Sequence, residues 1–188
     1  MLYISQSKYI LDDSYGTTLW GTYDLPNSIK SIGHCAFKNC DKLGEINLPN
    51  TITTISQSLF EDCDYLQGIT IPNSVTTINT LAFASCDRLS NVEIENPPED
   101  PSSLLMTLGS RVFANCGKLK SVKFPQVNYI KTLEYDTFRN CYSLESISLP
   151  YHLTKIGSNV FNGCNSLKKV SWPSSAVEVA SSAFFDSS

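Results

Sequence analysis

Apolar residues recur along the chain at spacings that no single helix or strand would need. Phe37, Phe60, Phe83, Phe113, Phe138 and Phe161 each stand three residues before a cysteine, and each cysteine stands three before a leucine. The cysteines are Cys40, Cys63, Cys86, Cys116, Cys141 and Cys164, so the steps between them are 23, 23, 30, 25 and 23 residues. Around them runs a unit of the form Leu-x-x-Ile-x-Leu-Pro-x-x-Ile-x-x-Ile-x-x-x-Ala-Phe-x-x-Cys. It is clear in Leu43, Ile46, Leu48, Pro49, Ile52, Ile55, Phe60 and Cys63, and again from Leu66 to Cys86. A fixed period of twenty-odd residues marks a stack of repeated coils.

The alternation in Ile46-x-Leu48 and Ile69-x-Ile71 predicts one short, half-buried strand per unit. Pro49, Pro72, Pro125, Pro150 and Pro173 follow these strands; a ring without an N–H cannot continue a ladder, so it turns the chain. The segment leading to each phenylalanine, such as Gly33 to Phe37, suits one short helical or 3₁₀ turn. The expected fold is therefore an α/β solenoid, a right-handed coil with short parallel strands on one face and short helical turns on the other. One coil cannot cover its own apolar side, so equivalent side chains must stack into a shared core. Residues 1–24 read as an N-terminal cap and first strand, with Leu2–Ile4 and Tyr9–Leu11 as the cap and Trp20-x-x-Tyr23-x-Leu25-Pro26 as a strand with aromatics substituted. Residues 25–188 read as about six full copies and a truncated seventh, in which Ser187 occupies the cysteine position. With no strand to close that last coil, the expectation is either a fraying end or an array cut from a longer one.

Two insertions interrupt the period. The fourth repeat carries seven extra residues within Glu95 to Thr107, acidic and proline-rich at first and then apolar at Leu104, Leu105 and Met106. Solenoid insertions form loops on one face, often the binding face. These three side chains either tuck against the coil edge or present an apolar tip to a partner. A two-residue insertion falls near Gln126 to Tyr129.

Composition narrows the function. The chain of 188 residues is 41% hydrophobic and 17% charged, with a net charge of −4 and a pI near 5.1. That balance argues against nucleic-acid binding, which needs a basic footprint. No apolar run approaches the ~18 residues of a membrane span. Met1 to Lys8 has neither the basic nor the apolar region of a secretory leader, leaving open a cytoplasmic location, another export route or a fragment of a longer protein. Cysteines recurring once per coil behave as small buried hydrophobes, which favours reduced thiols over disulfides. Cys35 and Cys40 have zinc-like spacing but no second pair. Cys35, outside the column, reads as a small residue on the short helix or as an accessible thiol. His34 and His152 lie on different coils, no nucleophile–base–acid set converges, and no phosphate loop is present, so neither catalysis nor a metal or cofactor is expected. Glu61, Asp62 and Asp64 are expected to splay around a solvated turn.

Leu48-Pro49-x-Thr51-Ile52-x-x-Ile55…Phe60-x-x-Cys63-x-x-Leu66-x-x-Ile69 resembles the treponemal, or BspA-like, class of leucine-rich repeats, as does Leu149-Pro150…Ile156-Gly157…Phe161-x-x-Cys164-x-x-Leu167. The resemblance covers about residues 20–184. It implies a non-enzymatic surface antigen or adhesin that binds host matrix proteins such as fibronectin, or other cell-surface proteins, located at the cell surface or secreted. An intracellular scaffold for a protein partner is the alternative. The family carries no catalytic motif.

Strand alternation places the candidate partner-binding face. With 46 and 48 inward, one outward column is Glu45, Gly68, Asn91, Ser121, Ser146 and Lys169; the second is Asn47, Thr70, Glu93, Lys123, Ser148 and Ser171. The columns contain no Trp, Tyr or Arg anchors. A weak or multivalent binder and a merely solvated sheet are both consistent with them. Residues 1–110 hold 5 Lys/Arg against 13 Asp/Glu, and residues 111–188 hold 9 against 5. This polarity could steer a partner or favour end-to-end contact at low salt, or could be variation on a solvated surface.

Overall fold

The computed structural model describes residues 3–4, 22–96, 106–125 and 130–187. Each repeat forms one coil, and backbone hydrogen bonds join coil to coil along three sides.

On the first side lie β2 (Thr22–Asp24), β4 (Glu45–Asn47), β6 (Gly68–Ile71), β8 (Asn91–Ile94), β10 (Ser121–Lys123), β12 (Ser146–Ser148) and β14 (Lys169–Ser171). On the second lie β1 (Tyr3–Ile4), β3 (Ser31–Ile32), β5 (Thr54–Ile55), β7 (Thr77–Ile78), β9 (Thr107–Leu108), β11 (Thr132–Leu133), β13 (Lys155–Ile156) and β15 (Glu178–Val179). Every pairing is parallel, and equivalent residues face one another: Tyr23 opposes Ile46, Ile69 opposes Val92, and Val92 opposes Val122. The last pair is 30 residues apart, so the fourth-repeat insertion leaves the register unchanged. A slip by one residue would turn the whole apolar set outward, and the core forbids it. Tyr3 pairs with Ser31 and Ile4 with Ile32, so this part of the expected cap is a strand in the second ladder.

The third side corrects the expected helical face: the described residues contain no helix, and the fold there is an all-β solenoid of turns and short strands. The N–H groups of Cys35, Phe37 and Asn39 donate to the carbonyls of Gln57, Leu59 and Glu61 on the next coil. Those of Ser58, Phe60 and Asp62 donate to Thr80, Ala82 and Ala84, and the pattern repeats to Phe161 and Ala183. A helix needs its N–H groups for its own carbonyls four residues back; here alternate ones are committed sideways. Between them the chain reverses through left-handed residues two before and two after each phenylalanine: Cys35 and Asn39, Ser58 and Asp62, Leu81 and Ser85, Arg111 and Asn115, Asp136 and Asn140, Asn159 and Gly163. The second member of each pair is Asn, Asp, Ser or Gly; Asn, Asp and Gly are the types that enter this region most readily.

Inside the coils the phenylalanine rings form one column. Neighbouring centroids from Phe37 to Phe161 are 5.3 to 5.6 Å apart with planes within 13° of parallel, and Phe184 continues the stack at 5.0 Å. The six rings from Phe37 to Phe161 are fully buried. Each burial contributes roughly 1.5–3 kcal/mol, and offset stacking adds about 0.5–1.5 kcal/mol per pair.

A thiol column runs beside the rings. All seven cysteines are free. Cys63 Sγ donates to the carbonyl of Phe37 on the preceding coil at 3.0 Å, Cys86 to Phe60 at 3.1 Å, Cys116 to Phe83 at 3.1 Å, Cys141 to Phe113 at 3.2 Å and Cys164 to Phe138 at 3.1 Å. At the last coil Ser187 turns its hydroxyl to Phe184 of its own coil instead. A similar stitch closes the corner after the strands, where Ser74 Oγ donates to Ile52 O at 2.7 Å and Ser175 Oγ to Leu153 O at 2.9 Å. Burial pushes the thiols of Cys63 and Cys141 well above the ordinary range, that of Cys164 up to about 12, and that of half-buried Cys40 up to about 11 with help from Asp41.

Phe83→Ala is expected to lower unfolding stability by roughly 3–5 kcal/mol through the cavity it leaves; a shift under ~1 kcal/mol in chemical denaturation would place Phe83 outside the core. The thiols give a second expectation. Folding raises the pKa of Cys40 and Cys164, so their contribution to stability is complete below the unfolded value of about 8.5 and is lost as pH climbs through about 11 to 12. Alkaline denaturation should follow that window, and at pH 8 a chromogenic disulfide reagent should react with the five buried cysteines only after unfolding. Rapid labelling of all seven in the native state would contradict the thiol column.

Candidate recognition face

The first ladder presents the two outward columns. Glu45, Asn47, Thr70, Asn91, Glu93, Ser121, Lys123, Ser146, Ser148, Lys169 and Ser171 are all exposed, while Ile46, Ile69, Val92, Val122 and Ile147 between them are buried. The structure therefore brings these eleven side chains to one surface, in register across consecutive coils. Cross-strand pairs organise it. Thr22 Oγ1 donates to Glu45 Oε2 at 2.6 Å, Asn47 Nδ2 to Asp24 Oδ1 at 2.7 Å, and Ser121 Oγ to Asn91 Oδ1 at 3.0 Å. Lys123 forms an ion pair with Glu93 of the register-matched strand. Exposed pairs of this kind contribute about 0–1 kcal/mol, so they order the face more than they stabilise the fold.

The face is not a uniform sheet. Strand pairing joins β2 to β4, β6 through β8 to β10, and β12 to β14, but not β4 to β6 or β10 to β12. Gln67 N–H to Gly44 O bridges the first interruption and Ser143 Oγ to Gly117 O the second. A groove lies at each interruption. The first, of about 620 Å³, runs over Gly68 between Glu45, Asn47, Thr70, Asn91 and Glu93, with Tyr65 and Gln67 beside it. The second, of about 510 Å³, lies among Ser121, Lys123, Ser146, Ser148 and Ser171, with Tyr151 and Trp172 at its margin. Tyr151 and Trp172 are exposed by 57% and 50%. Column reasoning missed Tyr65, Gln67, Tyr151 and Trp172 because they precede or follow the alternating strand residues. The aromatics absent from the columns thus stand beside them.

Other candidates fall elsewhere. Met106 is buried, packing into the core just before β9, and so belongs to the coil edge; Leu104, Leu105 and the segment Gln126 to Tyr129 lie outside the described residues. Glu61 is half-buried and pairs with Lys38 at 2.8 Å. Asp64 is raised above the usual carboxylate range by burial and then by the charges of Asp87, Asp41 and Asp62. Among the described residues no group of three His, Cys, Asp or Glu side chains is placed to hold a metal ion, and no helix is long and apolar enough to cross a membrane. His34 is exposed, and His152 meets Tyr151 edge-on at 4.9 Å on a distant coil.

Comparison with known proteins agrees with this geometry. A family model described as a BspA type leucine-rich repeat region of six copies matches over residues 8–131 and again over 100–188. A leucine-rich repeat protein from Bacteroides ovatus is similar at 30% identity and a TM-score of 0.77, covering 88% of this chain and 41% of its own. A leucine-rich repeat protein from T. pallidum is similar at 27% identity and a TM-score of 0.68, covering 84% and 72%. One from Eubacterium ventriosum follows at 25% identity and 0.56, covering 81% and 44%. This chain thus spans less than half the length of the Bacteroides and Eubacterium proteins. No curated protein matches it. Six copies of the family's repeat, read in the sequence and stacked in register in the structure, establish that the chain belongs to the BspA-type leucine-rich repeat family.

Proposed function

We propose that this chain is a non-enzymatic recognition module of the adhesin or surface-antigen kind, which binds a host matrix or cell-surface protein through the face carried by β2 to β14. The observation that carries this reading is the two-column polar surface itself. Seven strands spaced ~4.8 Å apart give a face roughly 30 Å long, with eleven exposed side chains held in register and two grooves between them. Few large apolar anchors stand on it, so affinity per site is low and repetition along an array raises avidity. The chain acts at the cell surface or after secretion.

The thiols favour a second reading, an intracellular scaffold for a protein partner. Seven free cysteines suit a reducing compartment. Five of them are buried donors to backbone carbonyls, however, and thiols held in that way are protected in either compartment.

Two measurements decide between the readings. Protease treatment of intact source cells should remove the labelled chain; protection would reject the surface location and leave the scaffold. Surface plasmon resonance on immobilised fibronectin should show binding that Thr70→Arg with Ser148→Arg weakens at least tenfold at an unchanged melting temperature. Equal binding by the double variant would remove this face from recognition.

A further inference from the structure

We infer that the groove over Gly68 receives a basic side chain of the partner, an arginine or lysine on an extended segment, and that Gly68 sets this specificity. The inference deepens the recognition reading above and rests on it.

The glycine is the first observation. Along the outward column the other coils carry Glu45, Asn91, Ser121, Ser146 and Lys169, while Gly68 carries nothing. Its backbone does not require glycine: it is not among the positive-φ residues, and a Cβ built there would meet only Asn91 O, at an ordinary 3.5 Å. Gly109 differs, since a Cβ there would strike the backbone of Thr80 at 2.6 Å. Glycine inside a strand weakens it and often marks a place where a ligand approaches closely. At Gly68 the fold gains nothing visible from the loss of a side chain, and the surface gains a notch.

The second observation is where the notch lies. It sits at the interruption of pairing between β4 and β6, in a groove of about 620 Å³. That volume is within the usual range of small-ligand sites, roughly 300–1,000 Å³, and accommodates a long side chain with some of its backbone.

Charge supplies the third. Glu45 and Glu93 flank the notch diagonally, two strands and two residues apart, or roughly 12 Å between backbones on ideal strand spacing. Among the described residues no Lys or Arg lines the groove. Lys123, which pairs with Glu93, is on the far side of that carboxylate, and Arg88 lies over the Tyr65 ring, 3.7 Å from its centroid. Asn47, Gln67, Thr70 and Asn91 supply neutral acceptors around the two carboxylates. An anion would be repelled here and an apolar group would strand these polar atoms. A guanidinium suits either carboxylate together with the amide oxygens beside it, because its planar fork donates to both kinds of acceptor. The acidic balance of residues 1–110 extends the same preference over the surrounding surface.

The test is a titration of the ¹⁵N-labelled chain with the capped peptide Gly-Ser-Arg-Ser-Gly, alongside the same peptide carrying citrulline in place of arginine. The arginine peptide should shift amides at Gln67 to Thr70 and at Asn91 with a Kd of ~1 mM, the scale of a single contact, and citrulline should weaken it at least fivefold. Gly68→Val should weaken it at least tenfold while leaving the melting temperature unchanged or raised. Glu45→Gln and Glu93→Gln, which leave the backbone alone, should each weaken it by about threefold, as should raised salt. Equal binding of the citrulline peptide, shifts centred on the Asp41, Asp64 and Asp87 turns, or wild-type affinity in Gly68→Val would overturn the inference. Fibronectin binding unchanged by Gly68→Val would overturn the notch and leave the recognition reading standing. Arginine-peptide binding at Gly68 in a chain that ignores fibronectin would do the reverse.

Discussion

Nearly everything in this molecule depends on the backbone being bonded sideways. On the turn side of each coil, alternate N–H groups reach the neighbouring coil, as Phe37 reaches Leu59 and Phe60 reaches Ala82. On the strand sides the parallel ladders do the same. A coil removed from the stack would therefore leave buried polar groups without partners, at about 1–3 kcal/mol each. The phenylalanine column has the same logic in apolar form, because each ring from Phe60 to Phe161 is covered by the ring above and the ring below. Stability is a sum of neighbour terms, as in other solenoids. The end coil illustrates this: Trp172 and Phe185 occupy the final coil and are 50% and 63% exposed.

The thiols fit the same scheme. A cysteine placed three residues after each phenylalanine meets the carbonyl of the previous coil's phenylalanine, which already accepts the N–H of its own coil's cysteine: Phe37 O accepts from both Cys40 N and Cys63 Sγ. The side chain is small enough for the narrow space beside the rings, and its weak donor is satisfied there. This accounts for the fixed Phe-x-x-Cys spacing through two contacts, one apolar and one polar. Burial in that space holds the thiols of Cys63, Cys141 and Cys164 protonated and poorly reactive.

The repeat period, the inward and outward columns and the strand-ending prolines could be read from particular residues, because each reports a periodicity that packing must obey. The helical turn could not. The segment from Gly33 to Phe37 has a composition that a short helix would accept, and the competing conformation wins only when a second coil offers carbonyls to its N–H groups. One hint was present: Asn39, Asp62, Ser85, Asn115, Asn140 and Gly163 stand at one repeat position, and most are types that tolerate a left-handed backbone. Leu81 and Arg111 at the companion position show that the stack imposes this conformation on residues that do not favour it. The grooves were hidden for a similar reason, since the interruptions after β4 and β10 arise from the fit between coils. Tyr65 and Tyr151 line them from outside the strands.

The sequence by itself determined that the chain is a stack of coils, that its phenylalanines and cysteines form the interior, and which side chains share the outward face. Those properties follow from spacing, because a side-chain period of two in a strand and a repeat of twenty-three leave a single way to bury the apolar set. Only the tertiary structure decided the conformation of the turn side, the burial of Met106, and the groove over Gly68 where β4 and β6 do not pair. Each of these depends on what a neighbouring coil presents at a given point, and no property of a residue's own segment encodes that.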